Sequence, residues 1–220
     1  MTAREVSYLD LQARTGITKH IGGPEATDAL IEMCHIEGKS EVLYVGCGIG
    51  VGPAYVAKKR GCRVVGVDIS ETMLAWARQR AREDGVADRV DIRYGDILDL
   101  PFEDGRFGAV IVESVAVFVE DKARAIAECV RVARTGGYVG INEVFWLAPA
   151  SAEFAADARR EMGAALLPVA DWRALWEASG LAERVIEVRS IDPRAEVRAR
   201  LRWVGGRWVL RAFGRLIALY

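Results

Sequence analysis

Two histidines and four cysteines are all that the 220-residue chain holds of either residue, and no two cysteines stand in C-x-x-C spacing. That spacing excludes the usual structural zinc patterns, and the low count excludes a disulfide framework. No metal is expected, and Cys34, Cys47, Cys62 and Cys129 read as buried, reduced thiols. Long apolar runs are missing too. No uncharged apolar run reaches the roughly 20 residues that span a bilayer, and the opening MTAREVSYLDLQ lacks the apolar core of a secretory signal, so the expected location is the cytoplasm. An excess of charge of one sign is also absent. The 30 Lys and Arg against 31 Asp and Glu leave a net charge of −1, which gives nucleic acid no bulk attraction.

Against these absences stands the stretch at residues 41–70, EVLYVGCGIGVGPAYVAKKRGCRVVGVDIS. Val42, Leu43 and Val45 form an apolar, β-prone run ending at Gly46. Gly48, Gly50 and Gly52 follow at two-residue intervals, before a helix-compatible segment at residues 53–60. Glycines let the chain adopt positive φ and let a ligand touch backbone, and the free N–H groups of the following helix can face the ligand's polar end. Residues 62–67 form a second apolar run, stopped by Asp68. A carboxylate about 20 positions after the glycines, at the carboxyl end of a second strand, is placed to accept from both hydroxyls of a ribose. The ligand is therefore expected to contain a nucleoside. The dinucleotide spacing G-x-G-x-x-G fails, because its last position falls on Val51 or on Pro53. No Lys-Ser or Lys-Thr pair follows the glycines to serve a phosphate loop.

Further landmarks follow in order. Ser70 can cap a helix running to Glu83, with Met73, Leu74 and Ala77 toward a sheet, and Gly85 ends it. Residues 89–94 alternate as a third strand before Gly95, Asp96 and Ile97, and LPFED leads into a fourth strand at residues 107–112 that ends at Glu113 and Ser114. Residues 121–133 predict a helix with Ala123, Ile126, Ala127 and Val130 inward. RTGGYVGINEVFW then gives a turn at Gly136 and Gly137 and a fifth strand ending near Asn142 and Glu143. The G-x-G-x-G turn with Asp68, the acidic residue after strand three, the LPF-x-D loop and the late glycine pair together resemble the class I S-adenosylmethionine-dependent methyltransferases. The resemblance covers about Gly22 to Trp146, and the His20-x-Gly22-Gly23 segment is similar to that of some small-molecule methyltransferases. Tyr44 and Gly108 depart from it, standing where many members carry aspartate.

The resemblance implies an α/β fold, a doubly wound, mostly parallel sheet with helices on both faces. It implies S-adenosylmethionine as cofactor and S-adenosylhomocysteine as product. Gly46, Gly48 and Gly50 would meet the cofactor's amino-acid end, Asp68 the ribose, and Asp96 with the backbone of Ile97 the adenine. Ile69 and Met73 also belong to that binding set, Glu113 to the sulfonium, and His20 to a lid. Methyl transfer from a sulfonium is a direct displacement that rests on alignment in a water-poor pocket, and a base helps only a hydroxyl or carbon acceptor. Glu113 and Glu143, at the ends of strands four and five, are the candidate catalytic residues. The acceptor is expected to be a small molecule, lipophilic or anionic. Two other readings compete: a non-catalytic module that binds S-adenosylmethionine or S-adenosylhomocysteine, and an NAD-type oxidoreductase, which the glycine spacing disfavours. No Asn-Pro-Pro-Tyr tetrapeptide at strand four points to nucleic acid.

The expected organisation is an N-terminal helical cap at residues 1–36, a cofactor domain at 37–191 and a basic amphipathic helical tail at 192–220. The cap would hold a short helix at 5–13 and a second one with Ala26, Leu30, Met33 and Cys34 on one face. Residues 151–165 favour helix, Asp171 can cap a helix through Ala178, and residues 181–191 suit a sixth strand. From Asp192 onward seven arginines stand against two acidic residues. A helix from Arg207 puts Arg207, Arg211 and Arg215 on one narrow face, a candidate surface for anionic lipid or for an acidic or lipophilic substrate.

Overall fold

The computed structural model describes residues 8–16, 20–146, 150–182, 185–190 and 193–218. Strands β1 (Glu41–Val45), β2 (Arg63–Asp68), β3 (Val90–Tyr94), β4 (Phe107–Glu113) and β5 (Ala133–Asn142) form one parallel sheet in the order β3-β2-β1-β4-β5. Side chains alternate across a strand, so Val42 and Tyr44 face one side and Leu43 and Val45 the other, and all four are buried. Helices α2 (Gly23–Met33), α3 (Val51–Arg60) and α4 (Glu71–Glu83) cover the first face with Leu30, Ile31, Ala54, Ala57, Leu74 and Ala77. Helix α5 (Lys122–Val132) covers the second with Ala125, Cys129 and Val132, joined by Leu100, Phe102 and Phe107. The chain runs outward from β1 to β3 and then returns to the far side of β1. The crevice outside the carboxyl ends of β1 and β4 is therefore a topological switch point, where such sheets bind ligands.

Several local expectations change. Helix α1 is Tyr8–Thr15, and residues 5–7 lie outside the described residues. In α5 the larger side chains of Ile126, Cys129 and Val132 take the inward positions, and that phase leaves Ala123 and Ala127 exposed. Helix α6 (Ala152–Met162) is capped by Ser151, whereas α7 (Val169–Ala178) starts directly after Pro168 and places Asp171 inside its first turn instead of at its cap. Residues 181–182 and 185–190 form no strand, and Val185, Ile186 and Val188 are exposed. β-Branched residues favour a pleated surface, but that preference is weak without cross-strand packing, and these residues pair with no strand of the described sheet.

Helices α8 (Pro193–Val204) and α9 (Gly206–Ala218) are separated by Gly205 alone. Trp208 and Ala212 point α9 inward, Trp208 joining Ile49, Val51 and Met73. Arg211 bonds both oxygens of Glu83 at 2.9 and 3.0 Å, while Arg215 donates to the Thr15 carbonyl at 3.1 Å and lies 3.7 Å from the Trp76 ring centre. Of the arginine face expected to look outward, Arg211 and Arg215 thus hold α9 onto α4 and α1 through Glu83, Trp76 and the Thr15 carbonyl, while Arg207 is exposed.

Candidate active site

The turn after β1 holds Gly46, Gly48 and Gly50 at φ 67°, 51° and 80°, a left-handed run that side chains with a Cβ resist. Gly48 N–H donates to Asp68 Oδ2 and Ser70 N–H to Asp68 Oδ1, each at 2.9 Å. Each carboxylate oxygen therefore keeps accepting capacity for a further donor such as a ribose hydroxyl. Burial raises the Asp68 pKa, and the amides of Ser70, Gly48 and Ile69 oppose that rise. Ile69, next along the chain, is 61% exposed, an apolar side chain beside a polar anchor. At the end of β3, Asp96 accepts from Leu98 N–H at 2.9 Å, while Ile97 is buried on the α5 side of the sheet. Met73 lies in the cluster of Ile49, Val51, Val204 and Trp208, behind the glycine turn. Gly50 caps α3 without a side-chain bond, so the start of that helix presents backbone to the crevice.

Glu113 ends β4 with a side chain that has no exposed surface. Thr27 Oγ1 donates to its two oxygens at 3.2 and 3.0 Å, Tyr44 donates to Oε2, and Asn142 Nδ2 approaches Oε1 at 3.4 Å. His20 Nε2 lies 3.0 Å from Oε1 and packs edge-on against Trp203 at 4.1 Å. Burial, and after it the Glu113 carboxylate, hold the Tyr44 phenol well above its usual pKa, so it stays a donor. Asn142 also donates to the Ile21 carbonyl at 2.6 Å, and Ile21 N–H donates to Ser114 Oγ at 3.1 Å. The segment holding His20 is thereby tied to the ends of β4 and β5. Thr27, Tyr44 and Asn142 are the members that sequence reasoning missed; the one signal was a tyrosine among the aliphatic residues of β1.

Glu143, just past β5, turns the other way. Its Oε1 accepts from Val115 N–H at 2.6 Å and Ala116 N–H at 2.5 Å, while Oε2 is buried without a hydrogen-bond partner. Burial lifts its carboxyl from the usual 4.5 to about 7, against the pull of the Ala116 and Val115 amides and of Lys122. The loop it holds brings Val115 against Gly46, where a Cβ would collide with the valine methyls. Glu143 is thus linked through one loop to the glycine turn, a connection no spacing rule announces. Beyond it, Phe145 and Leu167 pack beside buried Trp172, and Trp146 meets Phe154 edge-on at 5.5 Å.

Fold and site together define a class: a doubly wound α/β protein whose switch-point crevice offers a glycine turn and a carboxylate to a nucleoside-containing ligand. Residues 43–141 match a family described as a methyltransferase domain. An uncharacterized protein of Haemophilus influenzae is 31% identical over 185 residues, covering 82% of this chain and 73% of that protein. The 27-O-demethylrifamycin SV methyltransferase of Amycolatopsis mediterranei is 32% identical over 145 residues, 65% of this chain and 53% of that enzyme, so the chain spans about half of that relative. The solved Haemonchus contortus phosphoethanolamine N-methyltransferase 2, in complex with S-adenosyl-L-methionine, has a TM-score of 0.72 at 24% identity, over 88% of this chain and 46% of that one, a likeness of fold. Over residues 43–141 the chain thus carries a methyltransferase domain, and the oxidoreductase alternative is not favoured.

Proposed function

We propose that this chain transfers the methyl group of S-adenosylmethionine to a small, apolar acceptor that enters beside the carboxyl ends of β4 and β5. The observation that supports the cofactor side is the pinning of Asp68 by Gly48 and Ser70, which leaves each carboxylate oxygen capacity to accept from a ribose hydroxyl. In this reading Gly46, Gly48 and Gly50 take the amino-acid end, Ile69 packs on the adenine, and Asp96 with Ile97 reads its edge. Met73 supports the turn from behind. The bound cofactor supplies an activated methyl on a good leaving group. What the chain adds is alignment and exclusion of water.

The half-buried aromatic surface of Phe145 and Trp146, with exposed Phe154 beside it, supports an apolar acceptor, and the Amycolatopsis relative is named for a small-molecule acceptor, 27-O-demethylrifamycin SV. Glu113 acts as the internal anchor of the His20 lid, its carboxylate spent on Thr27, Tyr44 and Asn142. Glu143, with an uncommitted oxygen and a carboxyl near neutrality, is the group suited to take a proton from a hydroxyl acceptor. The cytoplasm suits four free, buried thiols whose pKa values burial raises, to about 12 for Cys34 and Cys129. Calorimetry with S-adenosylmethionine, S-adenosylhomocysteine and NAD, followed by methyl-labelled turnover on a library of apolar hydroxyl and amine compounds, tests the reading. Tight cofactor binding with no turnover on any acceptor favours the non-catalytic module instead.

A further inference from the structure

Helix α9 buries Trp208 and Ala212 but leaves two large apolar side chains facing solvent. Leu210 and Phe213 are 73% and 60% exposed, while Arg211 and Arg215 of the same helix are committed inward to Glu83 and to Thr15 with Trp76. On α8, joined through Gly205, Val197 and Leu201 are likewise exposed beside exposed Arg198 and Arg202, and exposed Arg207 opens α9. Residues 193–218 contain seven arginines and a single acidic residue, Glu196. Exposed aliphatic and aromatic side chains bordered by cations match an anionic surface into which apolar groups can sink. A water-facing helix would put its charged side outward. No helix among the described residues is long and apolar enough to cross a membrane, so the contact would lie on a bilayer and not through it.

We propose that the α8–α9 segment docks on anionic membrane lipid, with Leu210 and Phe213 entering the interfacial layer and Arg198, Arg202 and Arg207 meeting headgroup phosphates. The test is co-sedimentation of the full chain with phosphatidylcholine vesicles, with and without phosphatidylglycerol, at low and high salt. Binding should require phosphatidylglycerol and weaken with salt, because exposed charges are screened. Arg198→Gln, Arg202→Gln and Arg207→Gln should each weaken it roughly fivefold. The double variant Leu210→Asp, Phe213→Asp should lose it while binding S-adenosylhomocysteine as before, which shows that it still folds. Absence of binding to phosphatidylglycerol vesicles overturns the proposal, as does equal binding by the double variant. A dimer in analytical ultracentrifugation that the double variant dissolves, without vesicle binding, assigns the face to a second copy of this chain instead.

Discussion

Tyr44 passes so close under α3 that a Cβ on Gly52 would collide with its phenol, and the same phenol donates to Glu113. Glycine at 52 and tyrosine at 44 are therefore a steric pair, and Gly52→Ala should cost about 1–3 kcal/mol in urea denaturation, as overpacked cores do. Asp68 is the opposite case, the side chain proposed to meet the ribose. Asp68→Ala should weaken S-adenosylmethionine by about 1–3 kcal/mol in calorimetry, the range for losing charged hydrogen bonds, and unchanged affinity would remove its ribose role. Asp68 was legible because its position relative to the glycines follows from a strand and a helix of ordinary length. The Glu113 cluster was not. Its members come from α2, β1, β4 and β5, and only the closed sheet brings Thr27 and Asn142 to one carboxylate.

At the scale of elements, the loop between β4 and α5 hangs on Glu143. Its carboxyl is raised in the folded chain, so the sign is fixed: between about pH 4.5 and 7 the folded state holds a proton that the unfolded state has lost, and stability falls as pH rises through that window. Glu143→Gln cannot ionise, so its thermal-denaturation midpoint should be flatter with pH than that of the parent, with a relative difference of at most roughly 3 kcal/mol accumulating toward neutrality. Parallel pH curves would show that Glu143 does not titrate there. If Glu143 also serves as base, kcat for a hydroxyl acceptor should fall about 100-fold or more in the same variant with cofactor affinity nearly intact. Helix positions were readable from apolar periodicity; orientation was less so. Alanine carries little weight in deciding which way α5 faces, and amphipathicity divides α9 into two sides without saying which one a neighbouring glutamate and tryptophan will claim.

Across the whole molecule, the helices before the sheet and those after it close on each other. Trp208 is the main apolar contact of that closure, packed on Ile49, Val51 and Met73 with the Arg80 guanidinium 4.2 Å from its ring centre. Trp208→Ala should cost about 3–5 kcal/mol in denaturant unfolding, the range for a large aromatic removed from a core. A much smaller loss would mean that α9 contributes little to global stability. Composition offered no view of this closure, since contacts between distant segments depend on where the sheet leaves its two ends.

The Arg215 bond to the Thr15 carbonyl joins positions 200 residues apart, and that distance orders events during synthesis. The five-stranded sheet has all its strands once residue 142 has left the ribosome, while the side of α1 that meets α9 stays unpartnered until α9 is made. At about 5–20 residues per second, the interval is on the order of several seconds. Throughout it Trp76 on α4 can meet the Ala13 carbonyl of α1 but lacks Trp208 and Arg215, which reach it last.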